Sequence, residues 1–517
     1  MKNFINSTII ILITLFAFIV IRTIPAPHYP EGEKINYIIN QIDENYVDSI
    51  DINSLIESSI EQTLKNLDPH SYYLNSEEVS STMEMMKGSF EGIGVEFSIN
   101  RDTIIIVNVI PGGPSSKKGL QAGERIVKIE DEIVAGIGIK NEDVIQKLRG
   151  KGGTRVQIGI QNNRDTTIRL INITRGKIPL HSLDVAYEIA PNIGYIKLNR
   201  FSGTTFKEFK TELEALLINH QINDLILDLR GNSGGYLDQA INILNEFFSA
   251  GDLLVYTEGK SRKKENYFSN NSGIFKTGGL CVLIDEDSAS ASEIVAGAVQ
   301  DHDRGIIIGN KSFGKGLVQE QISLDDGSLI RLTVARYHTP SGRCIQKPYS
   351  EIEVNSDNYF NDSYKIDSLK QFKTKSGKIV YGGGGITPDY IIKDSTNIFP
   401  AMLLVLYSSD FFNNLIFDYV DANRDKLSNI DFSKFNLSKK DIDSFINEIT
   451  NWLILELDNK TNNQDIISEI EKYNQNILHR LNALIIRQQW GWAEMQMFLN
   501  ESDEIISTSL SLLKNKK

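Results

Sequence analysis

Leu280-Cys281-Val282-Leu283-Ile284 runs through the acidic turn Asp285-Glu286-Asp287 into Ser288-Ala289-Ser290-Ala291-Ser292-Glu293 and on into an apolar stretch, Ile294 to Gln300. Five consecutive apolar residues suit a buried strand, and the Ser/Ala segment then opens a helix. Such a turn has two readings. Ser290 with Glu293 matches a capping box, in which the serine satisfies free N–H groups of the first helical turn. Equally, a serine there holds its hydroxyl at the positive end of the helix, where a developing oxyanion is stabilised. Spacing alone does not separate the two.

Outward from this turn, the chain between about Ile178 and Asp394 has a mixed α/β pattern. Ile193 to Leu198 and Leu225 to Leu229 read as buried strands, and Thr205 to His220 between them has helical periodicity, which makes a crossover unit. The second strand ends in Asp228-Leu229-Arg230-Gly231-Asn232-Ser233-Gly234-Gly235 and leads into a helix, Leu237 to Phe248. Its glycines either serve a tight turn or let the backbone approach a ligand with its N–H groups outward. Downstream, Gly309-Asn310-Lys311-Ser312-Phe313-Gly314-Lys315-Gly316 imitates a phosphate-binding loop. Gly316 stands where Ser or Thr would hold magnesium, and Leu317 to Ile322 alternates like a strand, so nucleotide binding is excluded.

A nucleophilic serine needs a base. None of the seven histidines (His28, His70, His181, His220, His302, His338, His479) sits in a recognisable triad motif, and His302 reads as a solvated helix end. Lysine serves instead if burial or a local environment lowers its pKa by several units from ~10.4. Lys315, flanked by glycines, is the candidate.

Towards the N-terminus, Lys87 to about Thr174 reads as a small β-rich module with strands at Gly94–Ile99, Thr103–Val109, Glu124–Ile129, Arg155–Gln161 and Asp165–Ile173. Gly92-Ile93-Gly94-Val95 is placed to turn successive N–H groups towards an anion such as a chain-terminal carboxylate. With Pro111-Gly112-Gly113-Pro114, Lys118-Gly119-Leu120 and Gly123-Glu124-Arg125-Ile126 in order, the module resembles a PDZ domain. Before it, Ile35 to Leu67 predicts two short helices broken near Asp48–Asp51, and Glu77 to Met86 a helix or linker. At the start, Lys2 precedes an apolar run from Ile9 to Ile21, closed by Arg22, Pro25 and Pro27. This reads as an export signal, and without a small-x-small cleavage site before Pro25 it favours an uncleaved anchor over residues 4–22.

The 517 residues predict several domains, and 41% hydrophobic with 23% charged residues is ordinary globular composition. A net charge of −13 has the wrong sign for gripping nucleic acid. Cys281 and Cys344 cannot form a disulfide scaffold, and no CxxC or HExxH pattern suggests a zinc site.

The order of these features resembles the C-terminal processing proteases, the tail-specific serine endopeptidases of peptidase family S41. The resemblance rests on Leu67-Asp68-Pro69-His70-Ser71-Tyr72, the PDZ-like module, Asp228 to Gly235, Ser288 to Glu293 and Gly314-Lys315-Gly316-Leu317-Val318-Gln319. Tyr337-His338-Thr339-Pro340-Ser341-Gly342-Arg343 and Gly385-Ile386-Thr387-Pro388-Asp389 extend it, so that it covers about residues 32–395. It implies a multidomain α/β chain: signal or anchor 1–27, N-terminal helical region 28–83, PDZ-like domain 84–175, protease core of the ClpP/crotonase-like type 176–395, and helical extension 396–517. Residue by residue, it makes Ser290 the nucleophile and Lys315, 25 positions downstream, the general base. Gln319 would orient the lysine amine. The backbone N–H of Ala291 and that of Gly234, with Gly235 as the alternative, would form the oxyanion hole, and Ser288 and Ser292 would be structural. Gly92, Ile93, Gly94 and Val95 would hold the substrate's C-terminus.

The same resemblance implies no metal or organic cofactor, no nucleic-acid partner, and protein or peptide substrates with apolar C-terminal tails. It places the enzyme in the cell envelope or periplasm, tied to the inner membrane by its N-terminal segment. Arg149 is a candidate for coupling peptide occupancy to the catalytic site. Two regions depart from the family pattern. Ser350 to Gly377 is a polar insertion expected to form a loop or a pair of short helices. Beyond Thr396, helical periodicity at Leu403–Phe417, Asp441–Leu457 and Ile466–Gln489 predicts helices packed on the protease body or a partner-binding or dimerising domain. Trp490-Gly491-Trp492 reads as a packing site.

Overall fold

Leu280–Ile284 is buried along its whole length near the centre of a six-stranded sheet. The strand order is Leu183–Ala190, Ile193–Leu198, Asp224–Asp228, Leu280–Ile284, Ile306–Gly309, Tyr390–Ile391. The first pair is antiparallel and the rest are parallel. Parallel neighbours require crossovers, supplied here by the helices Thr205–Asn219, Leu237–Asn245 and Ala291–Asp301. One face of the sheet, with Leu227 and Val282, joins these helices in a core that includes Phe209, Leu213, Ile243 and Val295. The other face, with Tyr195, Ile226, Cys281 and Leu283, is covered by Ile505, Ile506 and Leu513 of the last helix, Glu504–Asn515. Burial on both faces is why these strands read as unbroken apolar runs instead of alternating.

This computed structural model describes residues 32–162, 167–270, 272–348, 370–392, 400–457 and 462–515. The export segment and residues 350–369 of the insertion lie outside them. The described residues fall into two compact units, one of residues from 32–74 and 321–332, the other of residues from 75–320 and 333–515. In the first, the helices Glu33–Asn45 and Ile52–Lys65 appear where periodicity placed them, the second capped by Asp51. Asp68 Oδ1 accepts from the His70 and Ser71 N–H groups, folding the proline turn that leads into Tyr72–Leu74, which pairs with Leu329–Arg331.

In the second unit, Ser76–Lys87 is a helix with an Asn75/Glu78 capping box and Gly88 as its left-handed end. The PDZ sheet follows in the order Val95–Asn100, Thr103–Val109, Arg125–Ile129, Arg155–Gln161, Arg169–Thr174, with the helix Asn141–Leu148 beside it. Ser89–Gly92 and Gly176–Pro179 pair where the chain enters and leaves this domain.

The C-terminal helices divide among three cores, the smallest built on Ala483, Ile486 and Met495. Helices between Ala401 and Gln489 close on their own core around Phe412, Ile449, Ile477 and Leu481, whereas the last helix belongs to the protease sheet. The continuous helical stretch expected over Leu403–Phe417 is broken. Ser409, in extended conformation, ends Ala401–Ser408 and caps Asp410–Leu427 by accepting from the Phe412 N–H. Ile466–Gln489 likewise splits at Tyr473 into Asn463–Lys472 and Asn474–Gln489. The described end of the polar insertion is a strand hairpin, Gln371–Lys373 with Ile379–Tyr381, not a helix. Trp490 packs on Phe435 at 5.3 Å and donates to the Ile430 carbonyl. Among the described residues no helix is long and apolar enough to cross a membrane.

Candidate active site

Three loops at the carboxyl ends of the parallel strands converge: the turn after Asp228, the turn after Ile284 and the segment after Gly309. The first two are stitched by short polar side chains. Asn232 donates to the Leu198 carbonyl at 3.0 Å, and its own carbonyl accepts from the Ala289 N–H and the Ser292 hydroxyl. The Ser288 hydroxyl donates to the Leu229 carbonyl at 2.8 Å. Ser288 and Ser292, both buried, therefore spend their hydroxyls on holding the turn.

Ser290 is different. It sits at the start of the helix Ala291–Asp301 with φ 53° and ψ −109°, a conformation that a non-glycine residue holds only under constraint from its surroundings. One constraint is Tyr337, whose hydroxyl donates to the Ser290 carbonyl at 3.2 Å. Burial, and then the nearby Glu293 charge, raises the Tyr337 phenol well above its ordinary range and keeps it a donor.

Glu293 supplies the stronger constraint. Its carboxylate is fully buried and accepts four hydrogen bonds. Oε2 takes the N–H groups of Ser290 (2.8 Å) and Lys315 (2.9 Å), and Oε1 takes the Ser312 hydroxyl (2.6 Å) and the Gly314 N–H (2.8 Å). One oxygen thus fixes the backbone of both the serine and the lysine. Burial pushes the Glu293 carboxyl above its usual range, opposed by these four donors. Sequence reasoning saw only the local half of this, the capping contact to Ser290. Its burial in an otherwise apolar helix turn is the signal that its partners lie elsewhere.

Lys315 is half-buried on the segment after Gly309, ahead of the strand Leu317–Ser323. Gln319 lies on that strand and donates to the Thr333 hydroxyl at 3.4 Å. Gly234 stands against the serine turn: a Cβ built on it would meet Ala289 O at 2.7 Å, Ala291 N at 2.9 Å and Ser290 Cβ at 2.9 Å. Only glycine permits that approach, and φ +96° requires it as well. Its N–H, however, donates to Asn232 Oδ1 at 2.9 Å, so this donor is engaged. Asp228 anchors the turn from below. Burial raises its carboxyl, but Arg230 and Lys197 outweigh that and hold it well below the usual range, and Tyr195 donates to it at 2.7 Å. Arg230 also reaches Asp503, tying this turn to the start of the last helix.

His302, expected in solvent, instead packs on Phe248 at 5.0 Å and bonds the Leu253 carbonyl. Among the described residues no hydrogen bond joins a histidine to Ser290, and no cluster of His, Cys, Asp or Glu could hold a metal ion. Gly92 to Val95 lies at the end of the groove between Val95–Asn100 and Asn141–Leu148, with Gly94 at φ +77°. Arg149, at the same end, pairs with Glu84 at 2.9 Å and lies over the Phe90 ring at 4.5 Å.

A serine is thus held in a strained turn at a helix start, with a glycine backbone pressed against it, on an α/β scaffold that follows a PDZ-like sheet. Residues 192–357 match peptidase family S41, residues 92–174 match the PDZ domain, and residues 402–491 match a family of unknown function. The carboxy-terminal-processing protease of Bartonella bacilliformis is 35% identical over 322 residues, 62% of this chain and 73% of that one. The carboxy-terminal processing protease CtpA of Bacillus subtilis is 34% identical over 348 residues, 67% of this chain and 73% of its own length. The solved photosystem II D1 C-terminal processing protease is 24% identical, with a TM-score of 0.37 over 71% of this chain and 89% of that one. The chain belongs to peptidase family S41, the carboxy-terminal processing proteases.

Proposed function

We propose that the chain is an exported endopeptidase that uses Ser290 and Lys315 as a dyad to cut proteins near their C-termini, with the PDZ domain binding the substrate tail and gating activity. Ser290 Oγ attacks the scissile carbonyl carbon while neutral Lys315 Nζ takes its proton. The resulting oxyanion is held by the Ala291 N–H and one N–H of the glycine turn. Gly235 is the better second donor as long as the Gly234 N–H remains on Asn232. Lys315 then returns the proton to the leaving amine, and water hydrolyses the acyl-enzyme by the reverse use of the same groups. Gln319 orients the lysine amine.

The observation that carries this reading is the shared acceptor, Glu293 Oε2, which brings the Ser290 and Lys315 backbones onto one atom. Tail binding is supported by Val95–Asn100, which lies at the edge of the PDZ sheet with Thr103–Val109 as its sheet neighbour. An extended peptide can add to such an edge as a strand, with its carboxylate at Gly92 to Val95. Arg149 is the gating candidate, because it ties the groove's end to Glu84 on the helix before the domain. The apolar run Ile9 to Ile21 supports export and anchoring in the inner membrane.

The test is cleavage of a partly unfolded model protein bearing an apolar C-terminal tail, followed by intact mass. Wild type should release fragments, and Ser290→Ala and Lys315→Ala should release none. Equal cleavage by either variant would remove the dyad.

A further inference from the structure

We propose that the C-terminal helical domain is the second wall of the tail-binding groove and selects tails in which apolar residues alternate with polar ones. The inference rests on the tail-binding reading of the PDZ domain and extends it to residues 401–490, a region that the catalytic account does not use.

The helical domain is fastened to the PDZ domain by specific charges. Arg125 makes a two-pronged ion pair with Asp421 at 2.9 and 3.3 Å, and both side chains are largely buried. The Arg125 guanidinium also lies over the Phe417 ring at 5.5 Å. Arg101 pairs with Asp418, one turn earlier on the helix Asp410–Leu427. Arg424 closes over Gly123 so tightly that a Cβ there would meet its Nε at 2.7 Å. A buried bidentate pair fixes orientation as well as proximity.

This docking leaves a cavity of about 1090 Å³ between the two domains, at the upper end of the usual ~300–1,000 Å³ for binding sites. Its PDZ side is the edge strand Val95–Asn100, the Gly92–Val95 loop and Ile145 and Leu148 of the groove helix. Its other side is Asn414 and Phe417 of Asp410–Leu427, with Arg487 and Gln488 of Asn474–Gln489. Asn414 and Gln488 are half-buried, and among the described residues their carboxamides make no hydrogen bond. A carboxamide offers two donors and an acceptor, so these two are poised for a guest.

The guest's chemistry follows from strand geometry. Successive side chains of an added strand point to opposite faces, so one set enters the apolar PDZ floor of Phe97, Val107, Ile145 and Leu148. The alternate set, which an open groove would leave in water, meets Asn414, Arg487 and Gln488 instead. At ~3.3 Å per residue, pairing along the six-residue edge strand accommodates about six residues of tail.

The experiment measures binding of fluorescent peptides to the full-length Ser290→Ala chain in detergent. Two peptides share the same apolar residues and free C-terminus, and carry either Gln or Ala at the alternate positions. Asn414→Ala and Gln488→Ala should each weaken the Gln peptide roughly three- to tenfold, the worth of one hydrogen bond, and leave the Ala peptide within about twofold. Equal effects on both peptides, no effect on either, or tighter binding would overturn the inference. Ile145→Asp, on the PDZ floor, separates the two layers of the argument. If it abolishes binding while the helical-domain variants change nothing, tail binding stands and the second wall falls. If it changes nothing although the peptides bind, the groove reading itself fails.

Discussion

Replacing Glu293 by Gln tests whether one buried carboxylate assembles the active site. Each of its oxygens accepts two hydrogen bonds, and together the four donors span the serine and lysine segments. A carboxamide keeps one accepting oxygen and presents N–H donors to the other pair, so two of the four bonds are lost whichever way it turns. Hydrogen bonds to a charged group contribute about 1.5–3 kcal/mol each, so the substitution costs the arrangement about 3–6 kcal/mol. If half of that is felt as misplacement of Ser290 against Lys315, kcat falls at least tenfold, and by about a hundredfold for 3 kcal/mol. The assay is steady-state cleavage of a tailed model protein at a temperature well below the melting point of the variant, with KM determined separately. Acid should act on wild type in the same direction. Burial raises the Glu293 carboxyl, so on acidification it protonates before an ordinary glutamate does, gains a donor among donors, and activity falls on that limb. A variant with kcat within threefold of wild type would refute the reasoning.

Gly234→Ala should abolish cleavage, because its Cβ would lie under 3 Å from Ala289 O, Ala291 N and Ser290 Cβ, while peptide binding at the PDZ groove persists; full activity would contradict the placement. Arg149→Ala removes both the Glu84 pair and the Phe90 contact, and should lower the ratio of peptide-stimulated to basal cleavage; an unchanged ratio would end its role in gating. Asp228 is held ionised in the fold by Arg230 and Lys197 despite burial, so its stabilisation is present above the unfolded carboxylate value of ~3.9 and is lost as pH falls through the lower folded value. Asp228→Asn should therefore cost about 3–5 kcal/mol of stability at neutral pH, measured by denaturant unfolding, and less as the solution is acidified.

The sheet was legible because its strands are buried on both faces and keep long apolar runs, and the strand-end turns because glycines and small serines mark them, while the roles assigned to Ser290 and Lys315 came from the family resemblance. What local pattern could not supply was the reach of side chains across the fold. Glu293 has the spacing of a helix cap, and its bonds to Ser312, Gly314 and Lys315 exist only once two distant loops meet. The Gly234 N–H looked available until Asn232, two residues earlier, folded back on it. In the C-terminal region, apolar periodicity runs through Ser409 and Tyr473 without a break, although both residues end a helix. Nor does an amphipathic helix state which core it joins: Glu504–Asn515 resembles its predecessors in pattern but covers the protease sheet.

The dyad is tested most directly by labelling the active enzyme with a serine-reactive fluorophosphonate across a range of pH and locating the adduct by mass spectrometry. The expected result is a single adduct on Ser290, forming at a rate that rises into alkaline solution, lost in Lys315→Ala and retained in every single-histidine variant. An adduct on another serine, or a midpoint near ~6.5 that vanishes when one histidine is changed, would contradict it.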